Sequence, residues 1–91
     1  MAEPIEVIEL EYPIEHGKEL IERLEIMRRP RAKDLRGMPA ELCQDHLQII
    51  LGRITGQPPS VIGELDLVDM FKGLEVVESF LPGGQTAGGT V

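Results

Sequence analysis

The chain contains no tryptophan, a single cysteine (Cys43) and only three aromatic residues, Tyr12, Phe71 and Phe80. Its core must therefore be aliphatic, and the aromatic platforms on which single-stranded nucleic acids stack are missing. One cysteine permits no internal disulfide and suits a reducing compartment. Basic residues are also scarce: nine Lys and Arg stand against sixteen Asp and Glu, a net charge of −7. Neutralisation of phosphates supplies most nucleic-acid affinity, so this balance argues against a nucleic-acid partner. Long apolar runs are absent as well. The longest is Ile49-Ile50-Leu51, far short of a membrane span, and from the opening Met-Ala-Glu-Pro no signal peptide is expected.

Catalytic constellations are equally wanting. Cys43 and His46 stand three apart, a spacing at which both could touch one zinc ion. A zinc site needs three or four protein ligands, and only His16 or scattered carboxylates could complete it. The same pair lacks the orienting group and oxyanion donors of a cysteine nucleophile. There is no Gly-x-Ser-x-Gly, and neither Gly83-Gly84 nor Gly88-Gly89 is followed by a helix carrying Lys and Ser or Thr, as a phosphate loop requires. The expectation is a protein without metal or cofactor that is not an enzyme, with Cys43 packed in the core.

Within the 91 residues, one domain over residues 1–82 is expected, followed by a flexible glycine-rich tail over 83–91. A domain this small buries only somewhat more than the roughly 60% of its surface typical of 60 residues, which favours self-association.

Charge is distributed in blocks. Residues 28–39 hold five of the nine bases, Arg28, Arg29, Arg31, Lys33 and Arg36, against one acid, Asp34, for a net +4. Residues 1–27 carry eight glutamates against Lys18 and Arg23, and residues 40–91 carry seven acids against two bases. A basic run between acidic segments is either a solvated connector or a docking surface, and these five cations are candidate partner contacts.

Periodicity places the elements. Ile8, Leu10 and Tyr12 alternate with Glu9 and Glu11, so residues 5–12 read as a strand with that trio inward and Pro13 at its end. Ile5 and Val7 fall on the opposite phase, which calls for a bulge or two partly covered faces. A turn follows at residues 15–18, with Gly17 free to take a positive φ. Residues 19–27 fit two periods: Leu20, Ile21, Leu24 and Met27 follow helical spacing, whereas Leu24 and Ile26 keep a two-residue step. Pro30 stops either element. Residues 32–36 suit one helical turn closed by Gly37, with Leu35 and Met38 inward.

Residues 39–54 read as a helix whose stripe is Cys43, Leu47, Ile50 and Ile54. Gly56 and Pro58-Pro59 end it, and a short turn over 60–64 is anchored by Val61, Ile62 and Leu65. Asp66 then caps a helix over 67–81 in which Leu67, Met70, Phe71, Leu74, Val77, Phe80 and Leu81 recur at helical spacing. Most of that stripe is core. Met70, Phe71 and the off-stripe Val76 are further candidate partner contacts, methionine because it adapts to varied surfaces.

Arg28-Arg29-Pro30 and Lys33-Asp34-Leu35-Arg36-Gly37-Met38-Pro39 are followed by Ile54-Thr55-Gly56-Gln57-Pro58-Pro59-Ser60-Val61-Ile62 and Leu65-Asp66-Leu67-Val68-Asp69. With Pro13-Ile14-Glu15-His16-Gly17 and Leu24-Glu25-Ile26 upstream, this order resembles the short tail assembly chaperones of contractile-tailed, Mu-like bacteriophages, over residues 5 to 81. The resemblance implies that residues 19–27 form a second strand. The expected fold is then α+β, an N-terminal β-hairpin packed against a small bundle of α-helices.

It also implies a function: binding the phage tape-measure protein and keeping it soluble during tail assembly. Such a protein is expected in the cytoplasm of the bacterial host, as a homo-oligomer, and not in the mature virion. A structural virion or prophage component, or a small acidic adaptor, is the alternative.

Overall fold

The computed structural model describes residues 3–81. Two antiparallel strands, β1 (Glu6–His16) and β2 (Glu19–Ile26), form a hairpin, and a 3-10 turn (Ala32–Leu35) leads to helices α1 (Gln44–Thr55), α2 (Pro59–Ile62) and α3 (Leu67–Phe80). The α+β architecture expected from sequence is the observed one. Residues 19–27 resolve in favour of strand because the hairpin supplies cross-strand partners, Ile8 opposite Leu24 and Ile14 opposite Ile21, that an isolated helical stripe would leave exposed. Gly17 takes φ +64° in the connecting turn, a conformation that side chains with a Cβ rarely adopt.

One face of the hairpin carries Ile8, Leu10, Ile14, Ile21, Leu24 and Ile26 into the core, where α3 lies on β1 and α1 on β2. Leu47, Ile50, Leu51 and Ile54 of α1 meet Leu74 and Val77 of α3 there, and α2 closes the end with Val61 and Ile62. No aromatic side chain belongs to the buried set among the described residues; Phe80 packs against its margin. The two long helices approach closely at Gly73, where a Cβ would lie 2.7 Å from Leu51 Cδ2. No helix among the described residues is long and apolar enough to cross a membrane.

Several expectations need correction. The first strand does not end at Pro13 but continues to His16. Between the pairs Glu9–Arg23 and Ile14–Ile21 the register slips, so that residues 10–13 of β1 face Glu22 alone. This wide bulge accommodates a residue with no backbone donor. It also moves Ile14 into the core and leaves Tyr12, expected inward, 56% exposed. Ile5 and Val7, upstream of the bulge, stay on the open face.

Helix α1 begins at Gln44 rather than near residue 39, with Cys43 as an extended N-cap. Cys43 is therefore exposed rather than part of the core stripe. In the 3-10 turn Leu35 faces solvent and Asp34 is buried instead, while Met38 packs against the core as expected. Leu67 and Phe71 of α3 are exposed, because that stripe is wider than the surface offered by β1 and α1. The glycine-rich tail lies outside the described residues.

The bulge is held by Asp69. Its carboxylate, fully buried, accepts the Glu11 amide at 2.9 Å and the Tyr12 amide at 3.0 Å, and Lys72 Nζ stands 3.7 Å away. Bulge amides turned away from β2 would otherwise lack partners, and each such loss costs about 1–3 kcal/mol. Asp69→Ala is therefore expected to lower the unfolding free energy by about 2–4 kcal/mol in urea denaturation, with Asp69→Asn intermediate. Amide exchange at Glu11 and Tyr12 should accelerate in both; protection unchanged in the alanine variant would show that other groups hold the bulge.

Candidate interaction surface

The five cations of residues 28–36 are dispersed by their local backbone. Pro30 keeps the chain extended after β2, and the 3-10 turn then folds back so that Asp34 faces Arg28. The Asp34 carboxylate, 1% exposed, receives Arg28 Nη1 at 2.8 Å and Nη2 at 3.0 Å, a bidentate fork, together with the Arg31 amide at 2.7 Å. Its carbonyl accepts Arg53 Nη1 at 2.7 Å, joining the turn to α1. The carboxyl is held at about 2, below its ordinary 3.8, chiefly by the Arg28 hydrogen bond; burial opposes the shift, and the Arg31 amide and the Arg28 and Lys33 charges add to it. The same hydrogen bond raises Arg28.

Arg29 stacks over Phe80, with the guanidinium carbon 5.0 Å from the ring centroid. Arg31, Lys33 and Arg36 have exposed side chains. The stretch thus separates into two cations bound within the chain and three presented to solvent. Within the chain, the carboxylate partner of the stretch is Asp34. The signal available was its position, the only acid among five bases, three residues after Arg31.

The apolar candidates also separate. Met70 is 8% exposed, with Gln48 Nε2 3.1 Å from its sulfur, and Val76 is half-buried against the core. Phe71 is 49% exposed, with Leu67 one turn before it at 65% and Val68 at 44%. The exposed apolar face of α3 therefore lies in its first half.

Cys43 and His46 form a helix cap. The Cys43 amide donates to His46 Nδ1 at 3.0 Å, and the sulfur lies 3.2 Å from the same nitrogen. The histidine thus satisfies the backbone at the helix start. Among the described residues, no group of three or more His, Cys, Asp or Glu is gathered as a metal ion would require.

A family model described as "Phage tail assembly chaperone proteins, E, or 41 or 14" matches residues 7–82. That span takes in all but the first residue of the hairpin, the basic turn and the three helices. No curated protein matches the chain, and no solved structure does.

Because the folded carboxyl of Asp34 titrates below the unfolded one, its contribution is complete above about pH 4 and is lost as pH falls towards 2. A shift of this size is worth on the order of 2 kcal/mol. Asp34→Asn should accordingly be less stable than the parent by about 2 kcal/mol at pH 7, with the gap closing between pH 4 and 2. Denaturant midpoints measured across that range check it, and a gap independent of pH would mean that the carboxylate charge is not the source. Arg31→Glu/Arg36→Glu, at exposed positions, should leave the midpoint at pH 7 nearly unchanged.

Proposed function

The chain belongs to the phage tail assembly chaperone family, and from that membership we propose that it binds the tape-measure protein of its phage and keeps it soluble until the tail is assembled. The observation that carries this reading is the family match, which takes in nearly the whole described fold. Physical chemistry supports it. A net charge of −7 on a small protein adds charge and solubility to whatever it coats, and several copies along one long client would multiply the effect. The reading includes a non-enzymatic role in the cytoplasm of the bacterial host, departure before the virion is complete, and residues 1–82 as the folded unit.

Arg31, Lys33 and Arg36 are the cations of the basic stretch that a partner would meet. Their nearest chemical complement is the row of exposed glutamates on the hairpin of another copy: Glu6, Glu9, Glu15, Glu19, Glu22 and Glu25. Such pairing would build a homo-oligomer that loosens with salt, since screening at 0.15 M acts over roughly 8 Å. Arg28 and Arg29 are engaged within the chain and would contribute through the shape of the turn. Mass in solution should therefore fall between low and high salt for the parent chain, and Arg31→Glu/Arg36→Glu should already be of low mass at low salt. Equal masses for both proteins at every salt concentration would assign the three cations to solvent.

The functional test is co-expression with the tape-measure protein encoded nearby. The larger protein is expected to move from the insoluble to the soluble fraction and to co-purify with this chain, and purified virions should lack the chain. A tape-measure protein equally soluble without it would refute the chaperone role, and stoichiometric presence in virions would favour a structural component.

A further inference from the structure

We propose that the outer side of α1, α2 and the first half of α3 forms a docking groove for an amphipathic helix whose apolar stripe is flanked by lysines or arginines. The proposal rests on the client-binding reading above and assigns the client a chemistry and a place. The groove, about 490 Å³, lies between α1 and α2, with Ile49, Pro59 and Ile62 among its apolar lining and Gly52 and Gly63 in its wall. Ile49 is 45% exposed on a helix whose other aliphatic residues, Leu47, Ile50, Leu51 and Ile54, are all buried. Gln48 belongs to the lining and also donates to Met70 of α3. It therefore joins the groove to the helix that carries exposed Leu67 and Phe71.

The chemistry of the surface selects the occupant. Every apolar point except Pro59 and Ile62 of the short α2 is presented from a long helix whose backbone groups are bonded internally, so a partner strand would find no ladder to extend. A partner helix, satisfied in the same way, can insert side chains at successive turns, and the one-turn separation of Leu67 and Phe71 matches that spacing.

Charge sets the flanks. Asp45 lines the groove, and Glu64, Asp66 and Glu75 are exposed on the segments around it. Two bases share this surface: Arg53 lines the groove while donating to the Asp34 carbonyl, and Lys72 stands beside Asp69 and Glu11, so the four acids outnumber them. The surface thus offers an apolar centre within a negative surround, complementary to a cationic amphipathic helix and opposed to an acidic one.

Two probes test the site. One is a labelled 20-residue helical peptide with leucines on one face and lysines at both ends, alongside a twin carrying glutamates in place of the lysines. The other is the co-expressed tape-measure protein. The full-length chain should bind the lysine peptide at least tenfold more tightly than its twin, with binding that weakens as salt rises. Ile49→Lys and Phe71→Lys, exposed helical positions that lysine suits, should each reduce peptide binding and client capture at least tenfold while keeping the parent melting temperature.

Client capture unchanged by Ile49→Lys and Phe71→Lys would overturn the groove and leave the chaperone role standing. Peptide binding abolished by those variants, with no capture of the tape-measure protein by the parent chain, would keep the groove and refute the client. Equal binding of the two peptides would overturn the charge argument. A concentration-dependent parent dimer dissociated by Ile49→Lys would give the groove to a second copy and overturn the proposal.

Discussion

The buried Asp34 carboxylate joins the end of the hairpin to the turn that follows, and its carbonyl joins that turn to α1 through Arg53. Burying one carboxylate among apolar side chains is unfavourable unless its oxygens are occupied, and here both are, by a bidentate guanidinium and a backbone amide. Such an arrangement fixes direction as well as distance. The 3-10 turn can face only one way, and with it the exposed Arg31, Lys33 and Arg36 are set on the outside while Arg28 is drawn in.

Asp69 serves the same end on the opposite side of the hairpin. An aliphatic core attracts without direction, and two strands covered by three helices could slide against them at little loss of apolar contact. The bulge in β1 turns two amides towards α3, and the fully buried carboxylate receives both. Together the two aspartates key each strand to the helical layer: β1 through Asp69 on α3, and β2 through Arg28, Asp34 and Arg53 on α1. Arg53 and Lys72, the cations beside them, are each tied to one of these links, Arg53 at the Asp34 carbonyl and Lys72 next to Asp69.

A chaperone of the kind proposed would hold a client and then release it. Exposed single contacts of modest strength suit that requirement better than a preformed deep pocket, because each ion pair at a surface contributes little alone and many weak contacts add through copy number. Under the proposed reading, copies would associate through the cationic turn and a client would dock in the apolar groove, two surfaces that adjoin at Arg53, which lines the groove and donates to the Asp34 carbonyl of the turn.

By itself the sequence determined the composition of the core, the order of the elements and the positions of their ends wherever chemistry is local. Gly17 and Pro59 mark a turn and a helix start that depend on backbone conformation, and Asp66 caps α3 by accepting from the Val68 amide two residues on. Leu47, Ile50, Leu74 and Val77 follow from helical period alone. Tertiary structure decided what depends on distant groups. Whether residues 19–27 became strand or helix turned on the presence of β1 opposite them, and the resemblance to the family, not the periodicity, pointed the right way. Tyr12 turned outward because a bulge satisfied by Asp69, 57 residues away, reset the register. Cys43 left the core because His46 capped its amide and started the helix late, and Leu35 yielded its place to Asp34 because Arg28 and Arg53 could satisfy that residue there. A period reports which side chains share a face, but which face is covered depends on contacts that only the folded chain brings together.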